Sequence, residues 1–185
     1  METTGVLILA AGRGRRAGAP KLTAMVNDKS YLAVVVGRLR EAGFQLITAV
    51  VAAEFEQWAG GEVPGVTIIV NPDPDRGMMS SVVAGVRGMA ATSGIMIVPV
   101  DHPFVAADTY RKLGIAFEKN PLQIVKPLHG GKTGHPVVVP RKLAEIIPPE
   151  DGEGGLQAFL SRTGVEVNTI CVDDEGILQN MIGQA

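Results

Sequence analysis

The sequence predicts an α/β fold: a mostly parallel sheet with helices on both faces. Three observations carry that prediction. Wholly apolar runs of strand length recur along the chain, Val6 to Leu9 and Ile95 to Val100 being the clearest, as buried strands require. These runs alternate with segments of helical periodicity, the signature of strand–helix–strand units. The 185 residues contain no repeat, low-complexity stretch or linker, so one domain with a single large core is expected over 1–185.

Taken in order, Val6 to Leu9 forms the first strand and runs into a glycine-rich loop. Tyr31 to Ala42 reads as a helix closed by Gly43, a C-terminal signal. Leu46 to Val51 and Val66 to Val70 are the second and third strands. Met78 to Met89 is a helix with Val82, Val83, Val86 and Met89 on one face. Ile95 to Val100 is a strand and Ala107 to Glu118 a helix. Leu122 to Val125 and Pro136 to Val139 read as strands, Leu156 to Ser161 as a short helix, and Glu166 to Val172 as the last strand. Cys171 falls in an apolar–polar alternation, which predicts a core position.

The most informative segment is the first strand with its loop, VLILAAGRGRRAGAPK. The strand ends in Ala10-Ala11-Gly12, small residues that let a backbone approach a ligand closely. Arg13, Arg15, Arg16 and Lys21 then follow within nine residues. Four cations on one turn repel one another unless an anion sits among them. Backbone N–H groups and cationic side chains both favour phosphate oxygens, so a nucleoside triphosphate is the natural ligand. A solvated basic loop is the plainer alternative.

Two familiar phosphate motifs do not apply. Gly12, Gly14 and Ala17 fit G-x-G-x-x-G/A, but Gly18 and Pro20 oppose a helix starting inside the loop. The acidic residue expected roughly 20 positions on is missing, since Leu32 to Val36 is wholly apolar and Glu54 is the first candidate after the second strand. The P-loop pattern fails because Lys21 follows Pro20 and precedes neither Ser nor Thr.

Composition narrows the partners. Hydrophobic residues make up 46 % and charged residues 19 %, ordinary for a soluble α/β protein. A net charge of −2 argues against a general nucleic-acid or membrane surface, and the few aromatics argue against base stacking on single strands. No apolar stretch reaches membrane-spanning length, Met1-Glu2-Thr3-Thr4 lacks the basic flank of a signal peptide, and the single cysteine fits a reducing cytoplasm.

Ligands of open α/β sheets gather outside the carboxyl ends of the strands. Asp101, at the end of the Ile95 strand, therefore shares a rim with the basic loop. A carboxylate facing a polyphosphate implies a divalent cation between them, because Mg²⁺ is usually held by one or two carboxylates plus substrate phosphates; alternatively Asp101 caps the following turn. His102 reads equally well as a packing residue or a ligand. In NPDPDRGMMSS (Asn71 to Ser81), two prolines fix the loop and Gly77 permits a tight backbone. Ser80 and Ser81 offer hydroxyls at a helix N-terminus, which either read a nucleobase edge or cap the helix. The Gly130–Pro136 turn suits an acceptor substrate, although glycine-rich hairpins are common without function.

With these residues assembled, the chain resembles the molybdenum-cofactor cytidylyltransferases of the MobA-like NTP transferase family. LAAGRGRRAGAPK (Leu9 to Lys21) matches that family's L-A-A-G-x-x-x-R-x-G-x-x-K, and NPDPDRGMMSSVVAGV (Asn71 to Val86) resembles its N…G-M-S-S-S-L-x-A-G-L segment. VPVDHP (Val98 to Pro103) resembles its Asp-x-Pro metal segment, TGHPVVV (Thr133 to Val139) its G-H-P-V strand, and Gly152 to Gly155 its G-D-x-G turn, with Glu153 for Asp and Gln157 for an Arg. The resemblance implies a three-layer α/β/α domain with a mixed, mostly parallel sheet, Rossmann-like and similar to glycosyltransferase-A folds. It implies transfer of a nucleoside monophosphate, CMP above all, from CTP or GTP to molybdopterin or a related phosphate-bearing acceptor, with release of pyrophosphate; the alternative is a nucleotidyltransferase with another base or a sugar-phosphate acceptor. By resemblance Ala10, Ala11 and Gly12 line the phosphates, Arg16 and Lys21 carry their charge, Gly77 and Ser81 lie near the base, and Asp101 binds Mg²⁺, or Mn²⁺ in its place.

One departure stands out. The family follows its last strand with Asp-Ile-Asp-Thr-Pro, whose acids help hold the metal; here Gln179-Asn180-Met181-Ile182 stands instead. Either Asn180 supplies an amide oxygen, or Asp101 and the phosphates hold the ion alone, or turnover is weakened. In the last case the chain is a nucleotide-binding accessory in cofactor delivery, with a molybdoenzyme or chaperone as partner.

Overall fold

The computed structural model describes residues 3–12, 20–150 and 154–181. In chain order these form β1 (Thr4–Leu9), β2 (Met25–Val26), β3 (Lys29–Ser30), α1 (Tyr31–Glu41), β4 (Ile47–Ala52), α2 (Glu56–Glu62), β5 (Thr67–Asn71), α3 (Met78–Gly88), β6 (Gly94–Pro99) and α4 (Ala107–Lys119). Then come β7 (Ile124–His129), β8 (Lys132–Thr133), β9 (Val137–Pro140), α5 (Arg141–Ala144), α6 (Gly155–Arg162) and β10 (Val167–Cys171).

The main sheet runs β10-β7-β9-β6-β1-β4-β5, with β8 on β7. β1, β4, β5 and β6 are parallel neighbours, as are β7 and β10, and β9 is antiparallel to both β6 and β7. The sheet is therefore mixed and mostly parallel. Alternation along β1 divides the core: Val6 and Ile8 face the layer of α1, α2 and α4, whereas Leu7 and Leu9 face α3, α5 and α6. Two faces buried along one strand explain why VLIL carries no polar residue. The three-layer α/β/α architecture follows directly.

Each helix has a local cause. Ser30 begins α1 by accepting a hydrogen bond from Ala33 N through its hydroxyl, satisfying one of the turn's orphan donors. In α3, Gly85 sits so close to Leu7 and Val50 that a Cβ would collide with both; a glycine in mid-helix here allows close packing on the sheet.

The chain leaves β1 towards β4 and β5 on one side and returns through α3 to β6 on the other. The carboxyl ends of β1 and β6 thus flank the point where strand order reverses, the usual ligand crevice of such sheets.

Several expectations need correction. Cys171 is exposed: β10 is an edge strand whose inward phase is Asn168 and Ile170, so the alternation holds with the opposite phase. α2, with Gly60 and Gly61 in its sequence, and the β2–β3 hairpin, with Asn27 and Asp28 at positive φ, are absent from the sequence reading. β7 starts later than expected and continues through Pro127. The N–H groups of this strand alternate sides, Ile124 N donating to Glu166 O across the β10 edge. Pro127 therefore lacks its donor on the β9 side, where pairing stops at Val125.

Candidate functional site

β1 ends in Ala10 and Ala11, both buried, and Gly12, which is exposed. Ala10 N donates to Val50 O, so the sheet fixes the start of the loop. Among the described residues, a Cβ at Gly12 would meet nothing within 4 Å. No described atom therefore demands a glycine there, and the space at Gly12 fits a ligand approaching the backbone. Arg16, together with Arg13 and Arg15, lies outside the described residues; the described loop resumes at Pro20, and Lys21 opens a 3-10 turn over Lys21–Thr23.

Across the crevice, Val100 N donates to Leu9 O and brings Asp101 to the same rim. Lys21 Nζ donates to Asp101 Oδ2 at 2.5 Å, across 80 residues of chain. The side chains are 29 % and 16 % exposed, so the pair lies in a recess open to solvent. Among the described residues no backbone N–H bonds to the Asp101 carboxylate, which removes the turn-capping alternative. Met181 N donates to the Asp101 carbonyl, tying the Asn180–Met181 segment to the backbone at Asp101. Met181 packs against the core, while Asn180 lines the cavity described below.

The Asn71–Ser81 loop is held from within. Asn71 is buried; its Nδ2 donates to the hydroxyls of Ser80 and Ser81, at 2.9 and 3.0 Å, and its Oδ1 accepts from Asp73 N. Ser80 Oγ lies 2.7 Å from the Gly77 carbonyl it donates to. Gly77 is the N-cap of α3 at φ 96° with no side-chain cap, a left-handed conformation that favours glycine. Both hydroxyls therefore brace the loop from behind, and neither takes the capping position. Ser81 is only 5 % exposed, and the surface at this point is the backbone of Gly77 and the exposed Met78.

A cavity of about 440 Å³ adjoins the recess, lined among others by His102, Lys126, Gly134, His135, Gln157 and Asn180. Gly134 is required sterically, because a Cβ would strike the Ile177 carbonyl, to which His135 N donates. The His135–Pro136 peptide is cis. The rings of His102 and His135 meet edge to face at 5.1 Å. Burial pushes the His102 imidazole below its usual range against the opposing pull of Asp101. His135 is pushed down to about 4, chiefly by burial and then by His102. Asp174, a neighbour of the replaced acidic segment, is occupied elsewhere: it accepts from Ala106 N and Thr109 Oγ1 at the start of α4 and from Gly176 N.

Sequence reasoning brought together Gly12, Lys21 and Asp101 and missed Lys126 and the bracing role of Asn71. The one available signal for Lys126 was a charge inside an otherwise apolar strand segment. Among the described residues no three His, Cys, Asp or Glu side chains converge as a metal cage. The donor at the recess, the Asp101 carboxylate, fits a hard cation that takes most of its oxygens from a bound polyphosphate.

An α/β/α domain with a glycine-ended first strand, a lysine and a carboxylate at its switch point is a nucleotidyltransferase fold. The chain belongs to the MobA-like NTP transferase domain family, whose profile matches residues 6–167. It is similar to nicotine blue oxidoreductase of Paenarthrobacter nicotinovorans, with 26 % identity over 182 residues, covering 93 % of this chain and 88 % of the relative. Among solved structures it is similar to Rv0371c of Mycobacterium tuberculosis H37Rv, with TM-score 0.77, 25 % identity and coverage of 92 % and 88 % of the two chains. That protein has also been solved as a manganese complex, which matches with TM-score 0.73 and 22 % identity. A nucleotidyl transferase from Methanothermobacter thermautotroptrophicus (Mth528) shares the fold at TM-score 0.82 and 22 % identity, covering 99 % of this chain and 93 % of that one. Among the described residues no helix is long and apolar enough to cross a membrane.

Proposed function

We propose that the protein transfers a nucleoside monophosphate, CMP in preference to GMP, from a triphosphate to molybdopterin or a related phosphate-bearing acceptor. The observation that carries this reading is the meeting of Lys21 and Asp101 at the carboxyl ends of β1 and β6, beside the open backbone of Gly12. In phosphoryl transfer the protein mainly positions reactants and stabilises charge on the phosphoryl oxygens. The triphosphate lies along Ala10-Ala11-Gly12; Lys21 leaves Asp101 for the α-phosphate, and Arg16 balances the departing charge. Asp101, with Asn180 beside it, would hold a divalent cation, Mg²⁺ or Mn²⁺, that supplies further charge neutralisation when bound. An oxygen of the acceptor phosphate attacks the α-phosphorus, the bond to the bridging oxygen breaks, and pyrophosphate leaves with that electron pair. No protein nucleophile is required. The base rests on the Gly77–Met78 backbone, with Ser81 and Asn71 holding that backbone in place.

Pyrophosphate release from CTP and from GTP, each with molybdopterin and Mg²⁺, tests the reading. Faster release from CTP is expected. Faster release from GTP would overturn the base assignment, and release from neither would overturn the transfer reaction.

The Asn180-Met181 replacement favours a second reading, a nucleotide-binding accessory without turnover. Tight CTP binding with no pyrophosphate would select it. Turnover of nicotine blue, the compound in one relative's name, would instead place the chain with that relative.

A further inference from the structure

We infer that the cavity bordered by α6 and by β7 and β9 receives the acceptor, with Lys126 anchoring its anionic phosphate. The inference rests on the transfer reaction proposed above and assigns residues to the side of that reaction left open by it.

Three observations converge on this cavity. Lys126 stands in β7 between Val125 and Pro127, and its side chain lines the cavity. Among the described residues nothing lies within ion-pair or hydrogen-bond distance of its ammonium. A half-buried cation without a counter-charge is a standing cost to the fold, here visible as a Lys126 amine pushed below its usual range by burial alone. An anionic ligand removes that cost. Next, the rings of His102 and His135 form part of the same wall, locked edge to face at 5.1 Å with their Nδ1 atoms turned away from solvent. Last, the remaining wall mixes apolar Val137, Leu156 and Leu160 with polar Thr133, Gln157 and Asn180. A cavity of about 440 Å³ with such a mixed lining suits a compact polar ligand.

The reaction explains why a second cation belongs here. Attack of a phosphate on a triphosphate brings two anions into contact, and Lys21, Arg16 and the divalent cation are all assigned to the triphosphate. Lys126 acts electrostatically on His135, whereas Lys21 acts on His102, the residue following Asp101. The two lysines thus bracket the histidine pair. The ligand class is a compact phosphate monoester.

Phenyl phosphate serves as the probe, titrated calorimetrically into protein saturated with α,β-methylene-CTP and Mg²⁺ so that the triphosphate site is filled. The wild type should bind it, Lys126→Met should bind at least tenfold more weakly, and Lys126→Arg should stay within about threefold of wild type, as expected for loss and retention of one charge-assisted contact. All three should bind the CTP analogue equally. Lys126→Gln repeats the comparison if the methionine variant is unstable. No binding of phenyl phosphate to the wild type, or equal binding to Lys126→Met, overturns the assignment. Failure of the CTP analogue to bind any of the proteins tells against the proposed function instead, and is read in its own isotherm.

Discussion

Replacing Asp101 by Asn should have opposite effects on nucleotide binding with and without metal. In the free protein Lys21 Nζ sits 2.5 Å from Asp101 Oδ2, so a metal-free triphosphate must displace the carboxylate from the lysine and then lie beside it. A phosphate oxygen about 4 Å from the carboxylate is repelled by about 1 kcal/mol in a water-like medium and about 4 kcal/mol at an effective dielectric constant near 20. The recess is open, with Lys21 29 % and Asp101 16 % exposed, which places the repulsion nearer the lower bound, at about 1–2 kcal/mol. Asp101→Asn removes that repulsion and releases Lys21. In EDTA the variant should therefore bind CTP roughly 5- to 30-fold more tightly than wild type. With excess Mg²⁺ the order should invert, because the wild-type carboxylate becomes a ligand and the amide is a poor substitute; metal-dependent turnover should disappear. Calorimetric titration of CTP under both conditions measures the crossing. Weaker binding by Asp101→Asn in EDTA, or a wild-type affinity indifferent to Mg²⁺, would refute the placement of the triphosphate between these two residues.

Further outcomes follow from the same geometry. Lys21→Ala removes a charge-assisted contact worth about 1.5–3 kcal/mol and should weaken CTP binding tenfold or more, as measured by the same titration. Ser81→Ala takes one acceptor from Asn71, whose Nδ2 keeps Ser80; the melting temperature should fall by the equivalent of about 1 kcal/mol, with CTP-over-GTP preference reduced more than triphosphate affinity. Asn180→Asp restores a carboxylate beside Asp101, and should tighten Mg²⁺ binding in the presence of nucleotide. At the core-packed Met181 the same carboxylate should be destabilising. Folded His135 takes up its proton only near pH 4, against about 6.5 when unfolded. The unfolded chain thus binds more protons between these values, and stability present above pH 6.5 is lost as pH falls towards 4. The loss due to His135 is at most about 3 kcal/mol. Denaturant midpoints should fall less steeply over that range in His135→Asn than in wild type.

The fold was legible because most strands are apolar on two faces and most helices carry one apolar stripe. The expected bounds of α1, α3, α4 and α6 differ from those observed by about one residue at either end. What escaped has local reasons. α2 is short and contains Gly60 and Gly61, so propensity argued against it and packing through Ala59 decided. At the edge strand β10, burial of one face only left the phase of Cys171 ambiguous. At the site, Gly12 and Asp101 were readable because both sit at strand ends, where topology alone fixes their rim. Lys21 was readable from the crowding of positive charge. Ser81 and Asn71 were not, since a hydroxyl that reads a ligand and one that braces a loop look alike until the partner is seen. Lys126 needed the cavity to give its charge a meaning.

A crystal structure with CTP and Mn²⁺, the ion located by its anomalous scattering, tests the central claim most directly. The account predicts a manganese peak bonded to the Asp101 carboxylate and to triphosphate oxygens, the phosphates lying along Ala10-Ala11-Gly12, and Lys21 moved from Asp101 to the α-phosphate. A triphosphate bound elsewhere while Lys21 and Asp101 remain paired, or a metal without Asp101 among its ligands, would contradict it.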